Sequence, residues 1–193
     1  MTTQEHKILN SETYILYQVE VCFCREKSPD LISKSIMAGE RSEFSHVLCK
    51  FEDHDGSIQI FHSIGSGAQI GPEDYLDTRE VVKSYKVPLI IGKDAFIRLI
   101  KARSSKVIEY SESQYFNQIF RIIFNFFGFK VPKWFPKVRN GDMATICSEE
   151  MVISVIRYSI VWDDVMLEID PDQISPKMLE TILSESAEVL KIT

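Results

Sequence analysis

Phe44-Ser45-His46-Val47-Leu48-Cys49-Lys50-Phe51-Glu52-Asp53-His54-Asp55-Gly56-Ser57-Ile58-Gln59-Ile60-Phe61-His62-Ser63-Ile64 is the stretch on which the reading of this chain turns. Two strand-like runs, Phe44 to Phe51 and Ser57 to Ile64, flank Glu52 to Gly56, where Asp-Gly is a strong hairpin signal. Side chains on a strand alternate between faces, so His46, Leu48 and Lys50 share one face and Val47, Cys49 and Phe51 share the other. On the returning strand Ile58, Ile60 and His62 share a face. With the turn centred near His54, His46 stands directly opposite His62 and Leu48 opposite Ile60, at a Cβ separation of about 5 Å. At that range one imidazole holds the tautomer and orientation of the other, which is what a general base requires. The inference depends on register, because a slip of one residue sends the histidines to opposite faces. The same parity turns Cys49 away from both histidines and makes it a core residue.

The second informative stretch is Gly141-Asp142-Met143-Ala144-Thr145-Ile146-Cys147-Ser148-Glu149-Glu150-Met151-Val152. A small, irregular approach leads into a helix from about Cys147 to Ile160, whose apolar stripe is Met151, Val152, Val155 and Ile156. Cys147 then lies at the helix N-terminus, where free N–H groups and the macrodipole favour a thiolate and lower the thiol pKa below about 8.5. A neighbouring histidine would complete its activation, and the same N–H groups could donate to a developing oxyanion. Glu149 and Glu150 suit the dipole of the first turn. The bland reading of Cys147 is a buried helical cysteine.

Composition bounds the alternatives. The chain has 193 residues, 45% hydrophobic and 26% charged, values of an ordinary folded domain. Its formal charge of −6, spread along the sequence, argues against wrapping a nucleic-acid backbone. The longest apolar candidate, Ile119 to Phe129, carries Arg121 and Asn125 and is too short to span a bilayer. Met1 to Asn10 lacks the features of a secretory signal, so a cytoplasmic location is expected. Of the four cysteines, Cys22 and Cys24 sit in an apolar strand-like run, and no spacing suggests disulfides or a zinc ribbon. A metal site from His46, Cys49, His54 and His62 is disfavoured by strand parity, and no metal or cofactor is expected. His54 reads as a turn residue, and His6 has no context.

Elsewhere, Tyr14 to Cys24 reads as a strand and Asp30 to Met37 as a short amphipathic helix ended by Gly39. Gln69-Ile70 and Ser84 to Ile91 read as strands. Helices are expected at Lys93 to Ser104, at Gln114 to Phe127, and at Lys177 to Ser186, the last with Ser175 as N-cap and Pro176 in its first turn. No linker or repeat divides the chain, so residues 1–193 read as a single domain.

Phe44-Ser45-His46-Val47, Ile60-Phe61-His62-Ser63 and the later Ile146-Cys147-Ser148-Glu149 together resemble the circularly permuted papain-like hydrolases of the NlpC superfamily. The likeness is to the branch of YiiX and YebB type, known from bacteria and phages. It extends loosely to the Leu31 to Ile36 helix and the Ile174-Ser175-Pro176 turn. The resemblance implies an α+β fold in which an antiparallel sheet packs against helices, with the nucleophile at a helix N-terminus. It also implies roles: Cys147 as nucleophile, His46 as base and His62 as the third, orienting residue. The implied activity is that of a cysteine peptidase or amidase that cleaves an amide, such as a cell-wall peptide or isopeptide bond, through a thioester. The start of the chain lacks the Gly-Asp common in that branch, and a helical insert around residues 93–139 fits none of its motifs.

Two other readings stand beside it. A lipid acyl hydrolase or acyltransferase with peripheral membrane contact would use Phe116, Phe120, Phe124 and Phe127, which share a helix face, although such a stripe is more often core. The related acyltransferase branch carries a different cysteine motif, which weakens that reading. A non-catalytic binding protein on the same scaffold is the third.

Overall fold

The computed structural model describes residues 16–64, 67–105, 147–161, 174–186 and 190–192, and the expected Phe-rich helix at 114–127 lies outside them. The described strands are β1 (Tyr17–Glu26), β2 (His46–Glu52), β3 (Ile58–Ile64), β4 (Gly67–Pro72), β5 (Arg79–Leu89) and β6 (Leu190–Ile192). They form one sheet in the order β4-β3-β2-β1-β5-β6, and every neighbouring pair is antiparallel. The helices are α1 (Leu31–Glu40), α2 (Lys93–Ser104), α3 (Cys147–Ser154) and α4 (Pro176–Glu185), so the fold is α+β.

Alternation along the strands separates two apolar clusters. Val19, Val21 and Phe23 of β1 and Val47, Cys49 and Phe51 of β2 enter the main core. There they meet Phe96, Ile97 and Ile100 of α2, Met151 and Val152 of α3, and Leu179 and Leu183 of α4. Val155 and Ile156, the rest of the expected α3 stripe, are buried in the same core. Cys22, Cys24, Leu48 and Ile60 point the other way and pack beneath Tyr75 and Leu76 of a 3-10 turn, Glu73–Thr78. That turn links β4 to β5 and was not expected from the sequence, nor was β6.

Several ends follow their local chemistry. Asp30 caps α1 by accepting from Ser33 N, and Ser175 caps α4 by accepting from Met178 N, with Pro176 in the first turn as expected. Gly39 does not end α1; it lies inside, and Arg41 takes the left-handed closing conformation at φ 50°. The helix that begins at Cys147 stops at Ser154 rather than near Ile160, because Val155 leaves helical geometry and a 3-10 turn, Ile156–Tyr158, follows. Strand β5 begins at Arg79, well before the expected Ser84. Helix α2 has the bounds read from the sequence, and its three buried apolar side chains make it a wall of the core, although it falls at the start of the expected 93–139 insert.

Two buried carboxylates tie the helices in place. Glu150 of α3 pairs with Arg103 of α2 through two hydrogen bonds, at 2.9 and 2.6 Å, and also accepts from Ser154. Glu180 of α4 accepts from Lys83 at 2.8 Å and Tyr85 at 2.7 Å on β5, and from Lys177 at 2.8 Å. Burial pushes the Glu180 pKa up, but hydrogen bonds from Lys177, Lys83 and Tyr85 outweigh it and hold the carboxyl at about 2. A carboxyl depressed on folding contributes stability that is present above its unfolded value of 4.5 and is lost as pH falls toward about 2. Glu180→Gln should therefore cost about 3 kcal/mol at neutral pH. The difference from wild type should shrink as urea unfolding is repeated between about pH 4.5 and 2.

Candidate active site

The hairpin carrying both histidines turns at Asp53 to Ser57. Asp53 N donates to Ser57 O at 2.8 Å, and Gly56 N donates to Asp53 O at 3.2 Å. Gly56 sits at φ 84°, a left-handed conformation that glycine adopts without steric penalty. The turn centres on Asp55 rather than His54, and it places Leu48, not His46, directly opposite His62. The expected register is thus wrong by two residues. Parity survives a shift of two, so the histidines still share the face of Leu48 and Ile60.

They meet as diagonal neighbours, with ring centroids 6.1 Å apart and an edge-to-face angle of 74°. Among the described residues, His46 Nε2 and His62 Nδ1 are buried without a hydrogen-bond partner, so the contact is a ring contact and not the hydrogen-bonded orientation expected for the pair. The direct cross-strand partner of His46 is Cys24 on β1.

His62 is held from its other side. Its ring stacks on Tyr75 at 3.9 Å with an interplanar angle of 25°. The Arg79 guanidinium carbon lies 3.8 Å from the centre of the same Tyr75 ring. Two groups that close to one ring centre cannot share a face, so Tyr75 is sandwiched between His62 and Arg79. Lys50 of β2 and Glu73 form an ion pair at 2.6 Å that fastens the 3-10 turn over this face.

Cys147, the first described residue of α3, is half-buried and packs against the main core. Ser148 beside it is fully buried and donates to Ile174 O at 2.6 Å, fixing the head of the helix to the segment before α4. Helix α3, whose first described residue is Cys147, packs on β2, and the backbone N–H groups of Val47, the residue after His46, and of Ser148 act to lower the Cys147 pKa. The nucleophile candidate thus belongs to the helix that packs on the strand whose first residue is the base candidate.

The electrostatics reverse one expectation. Burial pushes the Cys147 thiol up to about 11, and Glu40 adds to the rise, while the N–H groups of Val47, Ser148 and Cys147 itself act the other way without prevailing. Desolvation of the thiolate outweighs the helix end. Burial likewise lowers His46 to about 3, helped by His62 and Arg79, and lowers His62 to about 4, helped by Arg79. The resting pair is a neutral thiol and a neutral imidazole.

The remaining cysteines are buried. Burial drives Cys22 and Cys49 well above the ordinary thiol range and Cys24 to about 12. His54 lies at the hairpin tip, 3.3 Å from Asp94 of α2 and away from the histidine pair. Among the described residues no three His, Cys, Asp or Glu side chains converge as a metal site requires, and no helix is long and apolar enough to cross a membrane. Sequence reasoning missed Tyr75, Arg79 and Glu40. The Gly71-Pro72 pair could have flagged a turn, but nothing in the sequence links that turn to His62.

No model of a known protein family matches the chain, and no curated protein matches it in sequence.

In a nuclear magnetic resonance titration, the imidazole signals of His46 and His62 should stay fixed from about pH 8 to about pH 5, where an ordinary histidine with pKa near 6.5 would shift. Movement should begin only as pH nears about 4, from His62 first.

Proposed function

We propose that the chain is a cysteine-dependent hydrolase of the peptidase or amidase type, on a permuted papain-like scaffold, with Cys147 as nucleophile and His46 as base. The observation that carries this reading is the packing of α3, whose first described residue is Cys147, on β2, whose first residue is His46, a histidine whose buried Nε2 has no partner among the described residues. A buried, unpaired polar nitrogen costs free energy, and a proton to accept gives it a use.

In this mechanism the thiol proton passes to His46 Nε2 as sulfur attacks the substrate carbonyl carbon. The C=O π pair moves onto oxygen, to which the backbone N–H of Ser148 would donate. Collapse re-forms the carbonyl and breaks the bond to the leaving amine, which takes the proton from the imidazolium. Water then attacks the thioester, giving its proton to His46, and the acid product leaves as the thiol is restored. Because thiol and imidazole both begin neutral, proton transfer accompanies attack rather than preceding it. Amide chemistry is the reading proposed because Cys147 is flanked by Ile146 and Ser148 and not by the cysteine motif of the acyltransferase branch.

Cys147→Ala should abolish turnover of any substrate found while leaving thermal unfolding intact. Iodoacetamide should alkylate Cys147 faster than Cys22, Cys24 or Cys49, at a rate that climbs with pH toward about 11 instead of levelling below neutrality. His46→Ala should slow that alkylation; an unchanged rate would remove His46 from the role of base.

A further inference from the structure

The three-layer stack of His62, Tyr75 and Arg79 belongs to no role assigned above. Its layers come from three elements: His62 from β3, Tyr75 from the 3-10 turn and Arg79 from the start of β5. Each is restrained separately. Arg79 donates to Thr78 Oγ1 at 3.0 Å and to Tyr75 O at 3.3 Å, and lies 3.8 Å from the Glu26 carboxylate. The Lys50 and Glu73 ion pair holds the opposite end of the turn against the strand that carries His46. The Tyr75 hydroxyl is buried without a partner among the described residues, as are His46 Nε2 and His62 Nδ1. Tyr75 is therefore placed by its two ring contacts and not by its hydroxyl.

The contacts also account for how His62 can act on His46 without a hydrogen bond. An imidazole that touches its neighbour edge-on fixes that neighbour only if its own plane is fixed. Tyr75 supplies the plane by stacking, and Arg79 clamps Tyr75 from the far side through a cation–π contact. We infer that Tyr75 and Arg79 are positioning residues of the candidate site, which hold the plane of His62 and through it the edge against which the His46 ring is set. This rests on the proposed role of His46. Neither residue touches the reacting sulfur in this scheme, and the effect travels through ring contacts.

The test uses the full chain with imidazole nitrogens labelled by nitrogen-15, and reads two quantities in each variant. The first is the position of the His62 and His46 imidazole signals, which report ring stacking and tautomer. The second is the rate of Cys147 alkylation by iodoacetamide at a fixed alkaline pH. Tyr75→Leu removes the stack, and Arg79→Met removes the cation while keeping much of the bulk. Tyr75→Phe keeps the stack and serves as the conservative control, also guarding against loss of fold in the leucine variant.

Tyr75→Leu and Arg79→Met should each move both imidazole signals and slow Cys147 alkylation by about 10- to 100-fold, the scale expected when a reacting group is misplaced by an ångström. Tyr75→Phe should keep the wild-type pattern at His62. If the leucine and methionine variants fold and leave the imidazole signals where they are in wild type, the positioning inference is overturned. If those signals move but His46→Ala leaves alkylation unchanged, the stack positions the histidines as inferred and the base role of His46 fails instead.

Discussion

The turn from Asp53 to Ser57 fixes which residues of β2 face which residues of β3, and everything proposed for this chain hangs on that register. Gly56 allows the chain to reverse through a left-handed residue. The resulting ladder sends Val47, Cys49 and Phe51 into the main core, and leaves Leu48 with the two histidines on the other face. A strand displaced by one residue would bury His46 among the aromatic side chains of the core and expel Val47, so hydrophobic burial and site geometry enforce the same pairing. Tyr17 adds a lock at the end of β2, where its hydroxyl donates to Glu52 O at 3.0 Å and accepts from Glu52 N at 3.1 Å.

Around that hairpin, the two faces of the sheet contribute different things. The helix-covered face brings Cys147, held in place because Ser148 and Glu150 on either side of Glu149 are tied to Ile174 and Arg103. The other face brings the histidines under a single short turn. A β-bulge where β5 gives an extra residue, Val82, between the partners of Phe23 and Cys24 lies on the far side of β1 from His46. Bulges sharpen local twist.

How much of this could be read beforehand differs by residue. The shared face of His46 and His62 was legible because it needs only an even separation and an antiparallel return. Their exact pairing was not, since β2 runs one residue further, to Glu52, and β3 starts one residue later, at Ile58, which moves the centre from His54 to Asp55 without any sign in the strand pattern. The helical run of α3 was legible from its apolar stripe. The state of the Cys147 thiol was not: a helix-end argument is local, whereas burial is set by β2, α1 and α3 together. Tyr75 and Arg79 were invisible because their meaning depends on contacts with His62, 13 and 17 positions earlier, across a strand and a turn. Much of the element pattern was legible, from α2 and α4 to the hairpin of β2 and β3. The end of the third described helix did not, because Val155 carries no breaker signal of its own.

Arg41 closes α1 in the left-handed region, where a residue with a side chain is held at a free-energy cost of about 1 kcal/mol. It does so by donating its N–H to the last carbonyls of that helix, and the chain then runs through Ser42 to Phe44 directly into β2. The direction in which His46 begins its strand is thus inherited from a backbone angle five residues upstream, chosen without glycine's help. A change of this angle would re-aim the approach to β2 without altering any side chain of the candidate site. A glycine there would ease the angle while enlarging the freedom of the unfolded chain, so the two effects oppose each other and the position has little stability to gain. What it has to conserve is an angle.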